Sequence, residues 1–141
     1  MHHINSLAYF REDGLFVLGD KKGSVELVKS EDLKTVSLTS VGSTTIQAIS
    51  VCDARHLVAT LNKNFTITIL KVSYENLEIV TSINSLEYMV EDGYQIAFSE
   101  SQEIAFSPGG HRIAVNGPTG QPLIFDLNDS MQIVAWPPLR I

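Results

Sequence analysis

A single cysteine, Cys52, is all the thiol chemistry this 141-residue chain has, so no internal disulfide can staple it. Its place near the end of an alternating segment predicts a small buried hydrophobe rather than a reactive thiol. Basic side chains become scarce along the chain: residues 1–71 hold eight Lys and Arg against seven acids, and residues 72–141 hold two, Arg112 and Arg140, against nine. That balance disfavours direct nucleic-acid binding, which depends on clustered Lys and Arg. No apolar run is long enough to span a bilayer as a helix, and Met1-His2-His3-Ile4 lacks the basic-then-apolar pattern of an export signal. There is no His-Glu-x-x-His, no Cys cluster for zinc, no Gly-x-Ser-x-Gly elbow and no phosphate loop. These absences predict a soluble, intracellular protein of cytoplasm or nucleus, without cofactor, metal, catalytic residues or a membrane partner.

What is present is a repeat. Shifting Leu7 to Lys29 forward by 42 positions (49 − 7) lays it on Ile49 to Lys71 without a gap, and the apolar residues keep step. Leu7 meets Ile49, Tyr9 meets Val51, Phe16 meets Val58, Leu27 meets Ile69 and Val28 meets Leu70, while Lys21 meets Lys63 and Lys29 meets Lys71. The segments alternate at period two, as in Ile4 to Phe10 and Ser24 to Val28, and Asp13-Gly14 and Asp20-Lys21-Lys22-Gly23 supply turns between them. A period of roughly 40 to 45 residues built from short alternating strands is that of a propeller blade. An apolar fraction of 44% excludes a disordered chain.

A third copy runs Glu103-Ile104-Ala105-Phe106-Ser107-Pro108-Gly109-Gly110-His111-Arg112-Ile113-Ala114-Val115 and ends in Leu123-Ile124-Phe125-Asp126-Leu127. It resembles a blade of the WD-repeat family, with Gly109-Gly110 in place of Asp-Gly and Phe125-Asp126 in place of Trp-Asp. The first two copies carry Val28-Lys29 and Leu70-Lys71 there, and no Gly-His precedes any copy, so the family's buried His, Asp, Ser/Thr and Trp network is incomplete throughout. The resemblance implies an all-β, divergent and partial β-propeller of about three four-stranded antiparallel blades. It also implies a structural role for Phe125, packed between blades, and for Asp126, which caps backbone groups beside its blade.

The expected strands are 4 to 10, 15 to 19, 24 to 29 and 34 to 39; then 46 to 52, 57 to 61, 65 to 72 and 77 to 83; then 102 to 107, 112 to 116, 122 to 127 and 131 to 136, with no helix. Blade one covers 4–43, blade two 46–86 and blade three 102–138. Residues 87–101 fit no copy and are either a loop on a propeller face, where binding segments sit, or an extra hairpin. Lys21, Lys22 and Lys63 fall on equivalent turns, where they form a small basic patch or merely solvated turns. His56 and His111 follow the first strands of their copies as ordinary surface residues, and the sequons at Asn64 and Asn128 are chance matches.

Three blades cannot close a ring that generally needs about four to eight. Adjacent Phe16 and Val17 point to opposite sides of one strand, so each blade is apolar on both faces, and neither end copy shows a polar cap. The chain is therefore expected to dock further blades, from the same or another chain, through residues near its two ends: Leu7, Phe10, Phe125 and Trp136. The function read from this is a non-enzymatic protein-interaction scaffold, part of a larger propeller or multi-subunit assembly. The alternative is a ligand-binding or hydrolytic propeller whose central-channel site is completed by other blades. Such a site needs charged residues at successive inner-strand starts, yet those read Ile4-Asn5-Ser6, Ile46-Gln47-Ala48 and Ser101-Gln102-Glu103, with Glu103 the one charge.

Overall fold

The computed structural model describes residues 3–88, 103–116 and 122–135. Among the described residues twelve strands form three four-stranded sheets. The first holds β1 (Ile4–Phe10), β2 (Leu15–Asp20), β3 (Ser24–Lys29) and β4 (Thr35–Ser40). The second holds β5 (Ile46–Cys52), β6 (Leu57–Asn62), β7 (Thr66–Ser73) and β8 (Asn76–Asn84). The third holds β9 (Ile104–Phe106), β10 (Arg112–Asn116), β11 (Pro122–Leu127) and β12 (Ile133–Ala135). Each sheet is an antiparallel meander in chain order. Among the described residues the one helical element is a 3-10 turn, Ser85–Tyr88.

Turn chemistry places the strand ends. The Asp20 carboxylate accepts the Lys22 and Ser24 amides at 2.9 and 2.8 Å, which folds the chain back at Gly23, where φ is +91°. The second sheet turns at the equivalent position, Phe65 at φ +67°, through other bonds: the Phe65 amide donates to the Asn62 carbonyl at 2.8 Å and the Thr66 amide to Asn64 Oδ1 at 3.2 Å, while burial of the Phe65 ring and two hydrogen bonds from Ser85 to its carbonyl hold it in place. Strand β12, expected from 131, begins at Ile133. Asn128 takes the Gln132 amide on its side chain at 2.9 Å and the Met131 amide on its carbonyl at 3.0 Å, so those residues form the hairpin turn instead.

The sheets stack face to face, with β1, β5 and β9 side by side and β4, β8 and β12 towards the opposite edge. Cross-strand pairs make the three sheets directly comparable. Leu15 opposite Lys29, Leu57 opposite Lys71 and Arg112 opposite Asp126 occupy one position; Phe16 with Val28, Val58 with Leu70 and Ile113 with Phe125 occupy the next. Each sheet thus has a forward face, which looks along the stack, and a rear face. The forward face of the first sheet (Phe10, Leu15, Val17, Val25, Leu27) meets the rear face of the second (Val58, Leu70, Val72) in one core. The forward face of the second (Leu57, Ala59, Leu61, Ile67, Ile69) meets the rear face of the third (Ile104, Ile113, Val115, Phe125, Leu127) in another. Every residue of β6 is buried because both its faces are covered. This is why its sequence reads as a nearly continuous apolar run rather than an alternating one.

Candidate interaction face

Two faces are not covered by another sheet among the described residues, the rear of the first sheet and the forward face of the third. On the rear of the first sheet, pairing sets Leu7, Leu18, Glu26 and Leu38 in one row across four strands, and Tyr9, Phe16, Val28 and Thr35 in the next. Leu7 and Leu38 are each 65% exposed, Phe16 and Leu18 are half-buried, and the Tyr9 and Phe16 rings lie 4.9 Å apart. Glu26 sits among them only 7% exposed and accepts a hydrogen bond from the Thr35 hydroxyl. The row partners of these residues in the second sheet, Val58, Leu70, Thr60 and Thr68, are covered by the first sheet.

The forward face of the third sheet is different. It carries Ala105, Ala114 and Ile124 in one row and Arg112, Asp126 and Val134 in another, with Arg112 Nε donating to Asp126 Oδ1 at 3.2 Å. Apolar side chains are exposed on this end face as well, Val134 at 51%, with the ion pair set among them. Where the other forward faces show Leu15 and Leu57, this one shows Arg112, and where they show Lys29 and Lys71 it shows Asp126.

Of the residues expected at the ends, Leu7 lies on the open rear face, whereas Phe10 is fully buried in the first core. Phe10 is therefore no docking residue of this surface: in β1 it points forward with Ala8, opposite in sense to Leu7 and Tyr9. Phe125 is 1% exposed within the second core, and so fills the space between two sheets of this chain. Asp126 bonds Arg112 on the neighbouring strand. Trp136 and nearly all of residues 87–101 lie outside the described residues.

Polar groups join the sheets at their ends. Asn5 and Ser6 both donate to the Ile46 carbonyl at 3.1 Å, so the inner-strand polar residues of the first sheet are spent on the second. Lys29 meets Glu75 at 3.4 Å, and Asp13 meets His56 at 3.1 Å. The largest such link, missed in the sequence because a lone arginine in a turn carries no pattern, is Arg55. Its guanidinium donates to the carbonyls of Gly110, Leu127 and Asn128 at 2.7, 3.2 and 3.1 Å, tying the second sheet to two turns of the third. We expect Arg55→Ala to cost about 2 kcal/mol of stability, because three charge-assisted bonds to backbone carbonyls are lost together. Urea unfolding with a midpoint indistinguishable from that of the unaltered chain would refute this. Thr45 bonds the backbones of both Lys21 and Lys63, at 3.0 and 2.8 Å, which brings those two exposed lysine turns together.

Among the described residues no group of His, Cys, Asp or Glu is arranged to hold a metal ion, and no helix is long and apolar enough to cross a membrane. No family model matches the chain, and no curated protein matches its sequence. Solved structures do match. The crystal structure of the Cps50 (Swd1) β-propeller domain of Myceliophteria thermophila covers 96% of this chain with a TM-score of 0.72 at 12% identity. The fold is that of part of a β-propeller. A chain of the mitotic checkpoint complex crystal structure covers 91% with a TM-score of 0.68 at 14% identity. The present propeller chain spans 39% and 35% of the length of those two chains.

Proposed function

We propose that this propeller chain is a non-enzymatic interaction scaffold, one part of a larger propeller or multi-subunit assembly. The observation that carries the reading is the open rear face of the first sheet, whose Leu7, Leu18, Phe16 and Leu38 meet solvent while the matching face of the second sheet is core. An apolar patch of this kind on a rigid sheet is a surface for association. That a similar chain is found in a checkpoint complex supports the reading, as does the use of Asn5 and Ser6 in holding sheets together rather than lining an open site. In this proposal, 4–43, 46–86 and 102–138 act as three blades, with 87–101 set between the second and third, and the partners are proteins of a soluble, intracellular compartment.

Size-exclusion chromatography with light scattering on the purified chain tests it. The expected result is a defined oligomer, or solubility only when a second chain is co-expressed. A stable, folded monomer near 15.5 kDa across micromolar concentrations would defeat the proposal.

A further inference from the structure

The two ends of the first and second sheets differ in charge. At one end the connecting residues 11–14, 30–34, 53–56 and 74–75 hold six acids against three Lys and Arg. At the other, residues 21–23, 41–45 and 63–65 hold Lys21, Lys22 and Lys63 and no acid, in a chain whose net charge is -6. Asp20, which closes β2 beside them, is 6% exposed and spends one carboxylate oxygen on the Lys22 and Ser24 amides. In the second sheet the same position is the uncharged Asn62. Lys21, Lys22 and Lys63 are exposed, and among the described residues none of them forms an ion pair, whether with Glu87, Glu103 or any other acid. Backbone bonds nevertheless hold the two lysine turns side by side. Thr45 donates its hydroxyl to the Lys21 carbonyl at 3.0 Å and accepts the Lys63 amide at 2.8 Å, while the Lys21 amide donates to the His3 carbonyl at 3.0 Å. Positive charge is thus gathered on a fixed backbone, without a counterion there, which lowers the ordering cost of binding an anion.

We infer that this end of the first and second sheets binds an acidic segment of a partner protein, whose neighbouring carboxylates pair with Lys21, Lys22 and Lys63. The surface is distinct from the open rear face of the first sheet, and its occupancy is independent of assembly through that face. Three features select an acidic polypeptide over a nucleic acid. The patch offers three charges on two turns, too few to track a phosphate backbone. None of the three is an arginine, the residue that grips phosphate through two parallel bonds. No ring in these turns is open for a base to stack on, since Phe65 is 3% exposed. The acids at the opposite end of the sheets repel a negative partner and so steer it towards the lysines.

Fluorescence anisotropy of a labelled hexaglutamate peptide titrated with the full chain tests this, with a glutamine peptide and an oligothymidylate of the same length as comparison probes. The mass of the chain, which tests assembly, plays no part in the measurement. Hexaglutamate is expected to bind, the glutamine peptide not to bind, and oligothymidylate to bind more weakly than hexaglutamate. Lys21→Glu, Lys22→Glu and Lys63→Glu together should weaken hexaglutamate binding at least about tenfold. Lys34→Glu, at an exposed lysine of the opposite end, should leave it unchanged. Raising the ionic strength from about 0.01 M to about 0.15 M shortens the screening length from about 30 Å to about 8 Å and should weaken binding several-fold. A folded chain that fails to bind hexaglutamate overturns the inference, as does equal binding of the glutamine peptide, an equal loss in Lys34→Glu, or an affinity indifferent to salt. Tighter binding of oligothymidylate makes the surface a nucleic-acid site and overturns it too. Should the three charge reversals alter the circular dichroism spectrum, Lys21→Gln with Lys63→Gln removes charge without reversing it, and an affinity unchanged in that variant is equally decisive against the inference.

Discussion

Phe125→Ala is expected to destabilise the protein by about 3 to 5 kcal/mol, measured by urea or thermal unfolding. The ring is 1% exposed in the core shared by the second and third sheets, where Ile113 lies opposite it on β10 and Ala135 on β12. Removing it leaves a cavity between two sheets joined by side-chain packing and a few polar links, which the backbone ladders cannot close by collapsing. The neighbouring Asp126 faces the other way, partly solvated and paired with Arg112. A loss below about 1 kcal/mol for Phe125→Ala would show that the third repeat is out of register with the first two.

Gly23→Ala is the second change expected to be severe, at roughly 2 kcal/mol or more. Gly23 has φ +91°, and a Cβ built there would lie 2.5 Å from the Gly42 carbonyl oxygen and 2.9 Å from that of Thr44. Both obstacles are backbone, and the segment that carries them is tied down: the Val41 amide donates to the Gly23 carbonyl at 2.8 Å. Positive φ alone is tolerated in this fold, since Phe65 adopts +67° at the matching turn. The close approach therefore dominates, and Gly23→Asn, which accepts positive φ but also carries a Cβ, should lose about as much stability as the alanine variant. Full stability in Gly23→Asn would mean that backbone conformation, and not space, sets the cost.

Strand number, strand order and turn positions were legible because each rests on local chemistry. Alternation marks a strand whatever surrounds it, and Asp20 with Gly23 turns the chain by hydrogen bonds to residues two and four positions away. The third repeat was legible for the same reason, through Phe106-Ser107-Pro108-Gly109-Gly110 and Phe125-Asp126, and its pairing of Ile113 with Phe125 repeats that of Val58 with Leu70. The late start of β12 was not, because Asn128 draws Met131 and Gln132 into a turn through its side chain, which alternation does not register.

By itself the sequence determined that this protein is a run of repeated four-stranded antiparallel units with apolar residues on both sides of each strand. Only the tertiary structure decided which side of each end unit is covered. Leu7 and Phe10 are both apolar residues of β1, and period-two alternation divides them between two faces without saying which one another sheet will meet. Stacking in one direction buries Phe10 and leaves Leu7, Phe16, Leu18 and Leu38 open. It likewise turns Phe125 inward and Asp126 outward, where it pairs with Arg112 among the apolar residues of the far face. Coverage depends on contacts between residues some forty positions apart, as when Asn5 and Ser6 bond the Ile46 carbonyl, and such contacts exist only once the sheets have stacked.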